Sequence, residues 1–337
     1  MTTQHYSTDV TIIGAGPIGL FSIFQLGMLK IKCHVIDSLE EVGGQCRALY
    51  PEKPIYDIPA YSSITANQLI KNLEEQSAPF NPTYHLNQTA ENIESKDNKF
   101  IVTTSSGTTI ECKAIIIAAG TGAFGPNRPP LANINEYEGK SAFYMVKSKS
   151  TLKDKKIVIA GGGDSAVDWA ISLSDVASKI YFIHRRDKFR AAPDSVDKLR
   201  YLSSKGKINI LTPYQLASIN GKNGQIESID IKDMEGNIKN LEADILLPFF
   251  GIKPNLGNIK NWGLDIENST IKVSPTTMQT NIEGIFAVGD ISLYENKLKL
   301  ILSGFSEAAI AAHSIYPIIF PNESLHFVHS TSKGINK

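Results

Sequence analysis

The stretch DVTIIGAGPIG, residues 9–19, runs a β-branched segment directly into a glycine turn and then into an apolar helical pattern, FSIFQLGMLK. The same event recurs at KIVIAGGGDSA, residues 156–166, followed by VDWAISLSDVAS. Each unit closes on a second strand, CHVID in one and KIYFIHRR in the other. The spacing is equal: Gly19 to Asp37 and Ala166 to His184 are both 18 positions apart. A lone Gly-x-Gly-x-x-Gly fits any tight strand-to-helix turn. Two copies, each between a strand and a helix and each closing at the same distance, predict two dinucleotide-binding folds.

The residues of each loop have separate roles. Gly14 permits the tight turn, Gly16 lets the backbone approach a pyrophosphate, and Gly19 lets helix and strand pack closely; Gly161, Gly163 and Ala166 repeat those roles. The helix N-terminus behind each turn offers unpaired N–H groups and a partial positive charge to phosphates. The ends of the second strands distinguish the two sites. Asp37 can accept hydrogen bonds from ribose hydroxyls, and its charge repels a 2′-phosphate. The same register in the second unit holds His184, followed by Arg185 and Arg186, with Lys188 and Arg190 close behind. Guanidinium forks pair with phosphate oxygens in a bidentate way that a carboxylate cannot. The first site therefore reads as the adenosine end of FAD and the second as NADP(H).

Between and beyond the loops, the pattern predicts a helix over 64–77 and strands at FIVTTSS and TIECKAIIIAAG. The second of these ends in AAGTGAFGP, residues 118–126, a glycine turn that lets backbone lie against a cofactor, with Phe124 available to cover one face of it or to pack in the core. Residues 219–251 read as a β-hairpin returning to a buried strand. TNIEGIFAVGD, residues 280–290, reads as a strand whose terminal Asp290 can hydrogen-bond a polyol chain or serve as a helix cap, followed by a small-residue helix from about Ser303. With that last strand completing the first sheet, the expected architecture is α/β. It has two nested Rossmann-like (three-layer ββα) dinucleotide-binding domains, the NADPH domain inserted in the FAD domain. The expected boundaries are 1–120 plus 284–337 for the FAD-binding domain and 121–283 for the NADPH-binding domain.

Composition agrees. At 337 residues and 42% hydrophobic content, two domains are the better prior. Lys+Arg and Asp+Glu balance at 34 each, so no overall field favours nucleic acid or an anionic membrane, and a charged partner must meet a local patch. Cys33, Cys46 and Cys112 are too few and too scattered for a disulfide framework or a zinc site. They suit a reducing compartment, and no metal is expected. MTTQHYSTDV lacks the basic start and apolar stretch of a signal peptide. The apolar tract 300–320 contains Glu307, His313 and a proline, and reads as a buried helix rather than a membrane span. A cytoplasmic location follows as an expectation.

GAGPIG, AAGTG, GGGDSAVD, HRRDKFRA and TNIEGIFAVGD, in this order, resemble the low-molecular-weight thioredoxin reductase group of flavoproteins over nearly the full length. That group carries a Cys-x-x-Cys pair shortly before its nicotinamide glycine loop. Here the stretch is FYMVKSKSTL, residues 143–152, without cysteine. GGQCRALYPEKPIYDIPAY, residues 43–61, also lacks the two-cysteine pattern of the glutathione reductase group. Flavin reduction of a dithiol substrate needs two sulfurs. The segment is instead similar to the GGQ-x-x-ALYPEK-x-IYD run of the thioredoxin-reductase-like ferredoxin–NADP+ reductases, and the likeness extends into LHFVHSTSKGINK at the C-terminus.

That resemblance implies hydride transfer from NADPH to flavin N5, then one-electron steps to ferredoxin or flavodoxin, in a homodimer. It implies no nucleophile and no acid–base catalyst. Gln45 and Tyr50 match flavin contacts, with Tyr50 stacked on one face of the isoalloxazine. Asp37, Phe124, Asp290 and Thr331 match further FAD positions, and Ala90 one made through its backbone. His329 matches a residue over the opposite flavin face, reached from the other subunit. For an acidic ferredoxin, the candidate docking surfaces are Lys147, Lys149, Lys153, Lys155 and Lys156, or Lys297 with Lys299. The alternatives are a disulfide or quinone reductase or an oxidase of the same fold, and a non-catalytic flavoprotein sensor.

Overall fold

The computed structural model describes residues 4–122, 125–146, 148–253 and 255–325. The chain divides into two compact units, residues 1–124 with 254–337, and residues 125–253. The insertion of one unit into the other is as the sequence predicts, but the return comes at 253/254 rather than at 283/284. The cause is apolar: Leu256, Ile259, Trp262, Leu264 and Ile271 are buried in a core of the first unit, so their segment belongs there.

The first unit is built on a five-stranded, all-parallel sheet. Its order is Ile285–Ala287, Ala114–Ile117, Val10–Ile13, Cys33–Ile36, Thr83–His85. Ile285–Ala287, Ala114–Ile117 and Val10–Ile13 are buried along their whole length because both faces of the sheet are covered, and side chains alternate between the two cores. Val10, Ile12, Ala114 and Ile116 pack on one side with the helices Pro17–Met28, Ala66–Ser77 and Ile301–Ile319. Ile13, Ile115 and Ile117 pack on the other, with Phe100, Val102 and Ile110 of a second, mixed sheet. The strand predicted across TIECKAIIIAAG is in fact two: Thr109–Cys112 belongs to the mixed sheet and Ala114–Ile117 to the parallel one, with Lys113 at the crossing.

The second unit repeats the plan. Its parallel sheet runs Asn209–Leu211, Lys179–Ile183, Lys156–Ala160, Ile245–Pro248. Val158, Ala160, Tyr181 and Ile183 face Ile219, Ile229 and Ile231 of an antiparallel sheet. Ile157, Ile159, Ile180 and Phe182 face Val167, Trp169 and Leu173 of the helix Asp164–Leu173 and Leu199 of Pro193–Ser204. Where a hairpin was predicted over 219–251, three antiparallel strands form, Gln215–Lys222, Gln225–Lys232 and Ile238–Glu242, before the buried strand. The architecture is thus the expected three-layer one, twice. The apolar tract at 300–320 is the helix Ile301–Ile319, and among the described residues no helix is long and apolar enough to cross a membrane.

Candidate cofactor-binding sites

In each unit the glycine loop leaves the central strand of its parallel sheet at the carboxyl end, the place where such sheets take ligands. Gly14 has φ +108°, and a Cβ there would lie 2.4 Å from the Ala118 carbonyl oxygen; a Cβ on Gly19 would lie 1.9 Å from the Gly14 carbonyl oxygen. Both positions therefore require glycine. The helix Pro17–Met28 starts at Gly16 with no side-chain cap and no acidic residue in its first turn, leaving its N–H groups available to an anion.

A cavity of about 410 Å³ opens beside this turn. Of the residues predicted for FAD, it is lined by Gly14, Gly16, Asp37, Gln45, Tyr50, Ala90 and Asp290. Gly19 lies behind the wall, where it seats the helix. Phe124, His329 and Thr331 lie outside the described residues. The wall is shaped for backbone approach: a Cβ on Gly44 would lie 3.0 Å from the Gly16 Cα, so a side chain at either glycine would narrow the groove between them. With carboxylates and an uncapped helix end on the same cavity, the residues present fit a dinucleotide.

Asp37 is held where the second strand ends. Its Oδ2 accepts from the Ala15 N–H at 2.6 Å and its Oδ1 from the Leu39 N–H at 2.8 Å. Burial nevertheless pushes its pKa up, against these two bonds. The Asp37 N–H donates to the His85 carbonyl oxygen at 3.1 Å, and behind it His34 Nδ1 and His85 Nε2 lie 3.0 Å apart. Gln45 Nε2 donates to Thr121 Oγ1 at 2.9 Å. Tyr50 lies beside Cys46, with OH and Sγ 3.5 Å apart, and burial raises the pKa of both groups. Sequence reasoning missed the far wall: Glu91 is bonded to Asn258, and both line the cavity although 167 positions separate them. No local pattern signals such a pairing.

In the second unit, a Cβ on Gly161 would lie 2.6 Å from the Phe249 carbonyl oxygen, whereas one on Gly163 meets nothing within 4 Å. The helix Asp164–Leu173 begins at Gly163 without a side-chain cap, and the Asp164 carboxylate in its first turn is turned to the Ala192 N–H at 2.9 Å. Ala166 is fully buried under the loop. The Arg190 N–H donates to the Gly162 carbonyl oxygen at 2.7 Å, tying the basic segment to the glycine turn. Arg185, Arg186 and Arg190 are exposed. His184 is different from its neighbours: its ring lies 2.4 Å from where a Gly162 Cβ would be, against the Phe189 ring with centroids 5.6 Å apart. Burial and the adjacent arginines hold its pKa down. It acts as a neutral floor to the turn while the arginines carry the charge.

The lysine surfaces separate too. Lys297 is not available for docking, because its side chain is 3% exposed and paired with Glu307. Lys299, Lys153 and Lys155 are exposed, Lys156 pairs with Glu242, and Lys147 lies outside the described residues. Among the described residues, no cluster of His, Cys, Asp and Glu is arranged to hold a metal ion.

Residues 8–312 match the model of the pyridine nucleotide-disulphide oxidoreductase family. A ferredoxin–NADP reductase of Rickettsia akari is 59% identical over 328 residues, covering 97% of this chain and 98% of that protein. One of Rickettsia conorii is 58% identical over 332 residues, covering 98% of each. Among solved structures, the thioredoxin reductase of Lactococcus lactis superposes with a TM-score of 0.76 at 25% identity, covering 93% of this chain and 99% of that one. The thioredoxin reductase of T. acidophilum gives 0.77 at 22%, covering 92% and 98%. The paired glycine loops, the doubled three-layer fold and these likenesses converge: the chain belongs to the pyridine nucleotide-disulphide oxidoreductase family and, within it, to the ferredoxin–NADP reductases.

Proposed function

We propose that this chain moves electrons between NADPH and ferredoxin or flavodoxin, with FAD held in the cavity of the first unit and NADP(H) on the glycine loop of the second. The observation that carries the reading is the sulfur content of that cavity. Cys46 is the one cysteine lining it, is 2% exposed, and has its thiol pKa raised by burial. Cys33 and Cys112 are buried in the cores, their thiols pushed up to about 12 and about 11. Disulfide reduction proceeds by thiolate exchange, and a protonated, solitary thiol cannot sustain it.

When bound, FAD supplies two-electron chemistry toward a nicotinamide and one-electron chemistry toward an iron–sulfur protein. The chain's residues supply position. Free N–H groups at the start of Pro17–Met28 receive the pyrophosphate, and Asp37 receives the ribose hydroxyls through lone pairs that Ala15 and Leu39 leave open. Asp290 serves the polyol chain. Gln45 and Tyr50 stand at the redox end, with Tyr50 kept a neutral phenol by burial. Ala90 contributes backbone. Arg185, Arg186 and Arg190 select the 2′-phosphate. Phe124, Thr331 and His329 add to the FAD site, His329 from the other subunit of a homodimer, and Lys149, Lys153 and Lys155 form the dock for an acidic partner.

The test is an anaerobic NADPH titration of the purified yellow protein, followed by ferredoxin with cytochrome c as reporter, with thioredoxin and a chromogenic disulfide as a parallel arm. Flavin bleaching and ferredoxin-dependent cytochrome reduction are expected. Bleaching with disulfide reduction and no ferredoxin activity would overturn the reading.

A further inference from the structure

Behind the cavity wall, one carboxylate gathers an entire segment. Glu307, on the helix Ile301–Ile319, is 2% exposed and does not line the cavity. Its Oε2 accepts from the Gly289 N–H at 2.7 Å and lies 3.2 Å from Ser292 Oγ. Its Oε1 accepts from the Tyr294 hydroxyl at 2.8 Å and pairs with Lys297, whose ammonium also lies 5.4 Å from the Tyr294 ring centre. Partners at 289, 292, 294 and 297 thus fix the chain from the end of the strand Ile285–Ala287 to the approach of the helix. Gly289, Asp290, Leu300 and Ile301, on this same segment, line the cavity. Gly289 and Gly304 both press on Ile18, where added Cβ atoms would lie 3.2 and 2.5 Å from its side chain.

A buried ion pair gives little net stability over well-packed apolar residues, so its use here points to geometry rather than to folding energy. We infer that Glu307, with Lys297 as its charge partner, is a positioning residue for the cofactor: it sets the Gly289–Ile301 segment, and hence the place of Asp290, without touching the ligand. This rests on the reading of the first-unit cavity as the FAD site.

The test is a double-mutant cycle on FAD affinity, read as flavin fluorescence released when full-length holoenzyme is diluted. Asp290→Ala and Glu307→Gln should each raise the FAD Kd about tenfold, the loss of one charge-assisted hydrogen bond. Glu307→Gln in the Asp290→Ala background should add less than about twofold, because the one acts through the other. If Glu307→Gln fails to fold with Lys297 unpaired, Glu307→Gln with Lys297→Met takes its place in the same cycle. Additive effects, or an unchanged Kd in Glu307→Gln, would overturn the inference while leaving the cavity reading intact. An unchanged Kd in Asp290→Ala would overturn both.

Discussion

The two glycine loops have the same length and the same place at the end of a parallel strand, and their surroundings are opposite. The loop at 14–19 opens on a walled cavity, closed by Asp37, which is itself buried and bonded to the Ala15 and Leu39 N–H groups. The loop at 161–166 has open space at Gly163, and the second strand beside it, Lys179–Ile183, is followed by exposed arginines. One motif therefore serves two regimes. Enclosure and many distributed contacts suit a group that stays; an open turn with strong exposed charges suits one that arrives and leaves. The motif alone does not encode that choice. It is set by the far wall in one unit and by the residues after the second strand in the other.

The sharpest way to break this contrast is to add a methyl group to each loop. Gly14→Ala meets backbone at 2.4 Å in a left-handed conformation, and should yield protein without FAD, seen as loss of the flavin absorbance. Gly163→Ala has room in the fold, so it should keep its FAD and raise the KM for NADPH about tenfold as the added methyl displaces the phosphates. Next in size, Arg185→Ala with Arg186→Ala should lower kcat/KM for NADPH about a hundredfold, two charge-assisted contacts, and change that for NADH by less than about threefold. Equal losses on both nucleotides would mean that the arginines do not read the 2′-phosphate.

How much of this was legible in the sequence follows from the physics of each feature. Parallel strands buried on both faces leave apolar runs, and glycines mark the turns, so DVTIIGAGPIG and KIVIAGGGDSA declare both folds locally. Asp37 and the arginines were readable because their distance from the loop is fixed by one helix and one strand. Asn258 opposite Glu91, and Glu307 behind Asp290, were not readable, because each pairing depends on tertiary closure. The return at 254 was missed for the same reason: Leu256, Ile259 and Trp262 join a core whose other members are far away in sequence. Lys297 looked like a surface charge because nothing local announces a buried partner ten positions on.

Two smaller effects refine the picture of the enclosed site. Cys46→Ser should leave ferredoxin-dependent turnover within about twofold, since the thiol is buried filler with a weak contact to Tyr50; a large loss would restore a role for sulfur. The His34–His85 pair beneath Asp37 should make the first unit acid-sensitive. Burial holds both pKa values below the usual 6.5, and for His34 the facing His85 adds to this. The neutral pair thus stabilises the fold fully above pH 6.5, and that stability is lost as pH falls through the depressed values. A His34→Gln variant should show a shallower fall of Tm between pH 7 and 5 than the parent.

The central claim, a resident cofactor on one loop and an exchanging one on the other, is tested most directly by saturating the full-length protein with FAD and NADP+, passing it through a desalting column, and quantifying both nucleotides in the protein fraction. About one FAD per chain should remain while NADP+ is lost. Retention of both, or loss of both together, would contradict the distinction between the two loops.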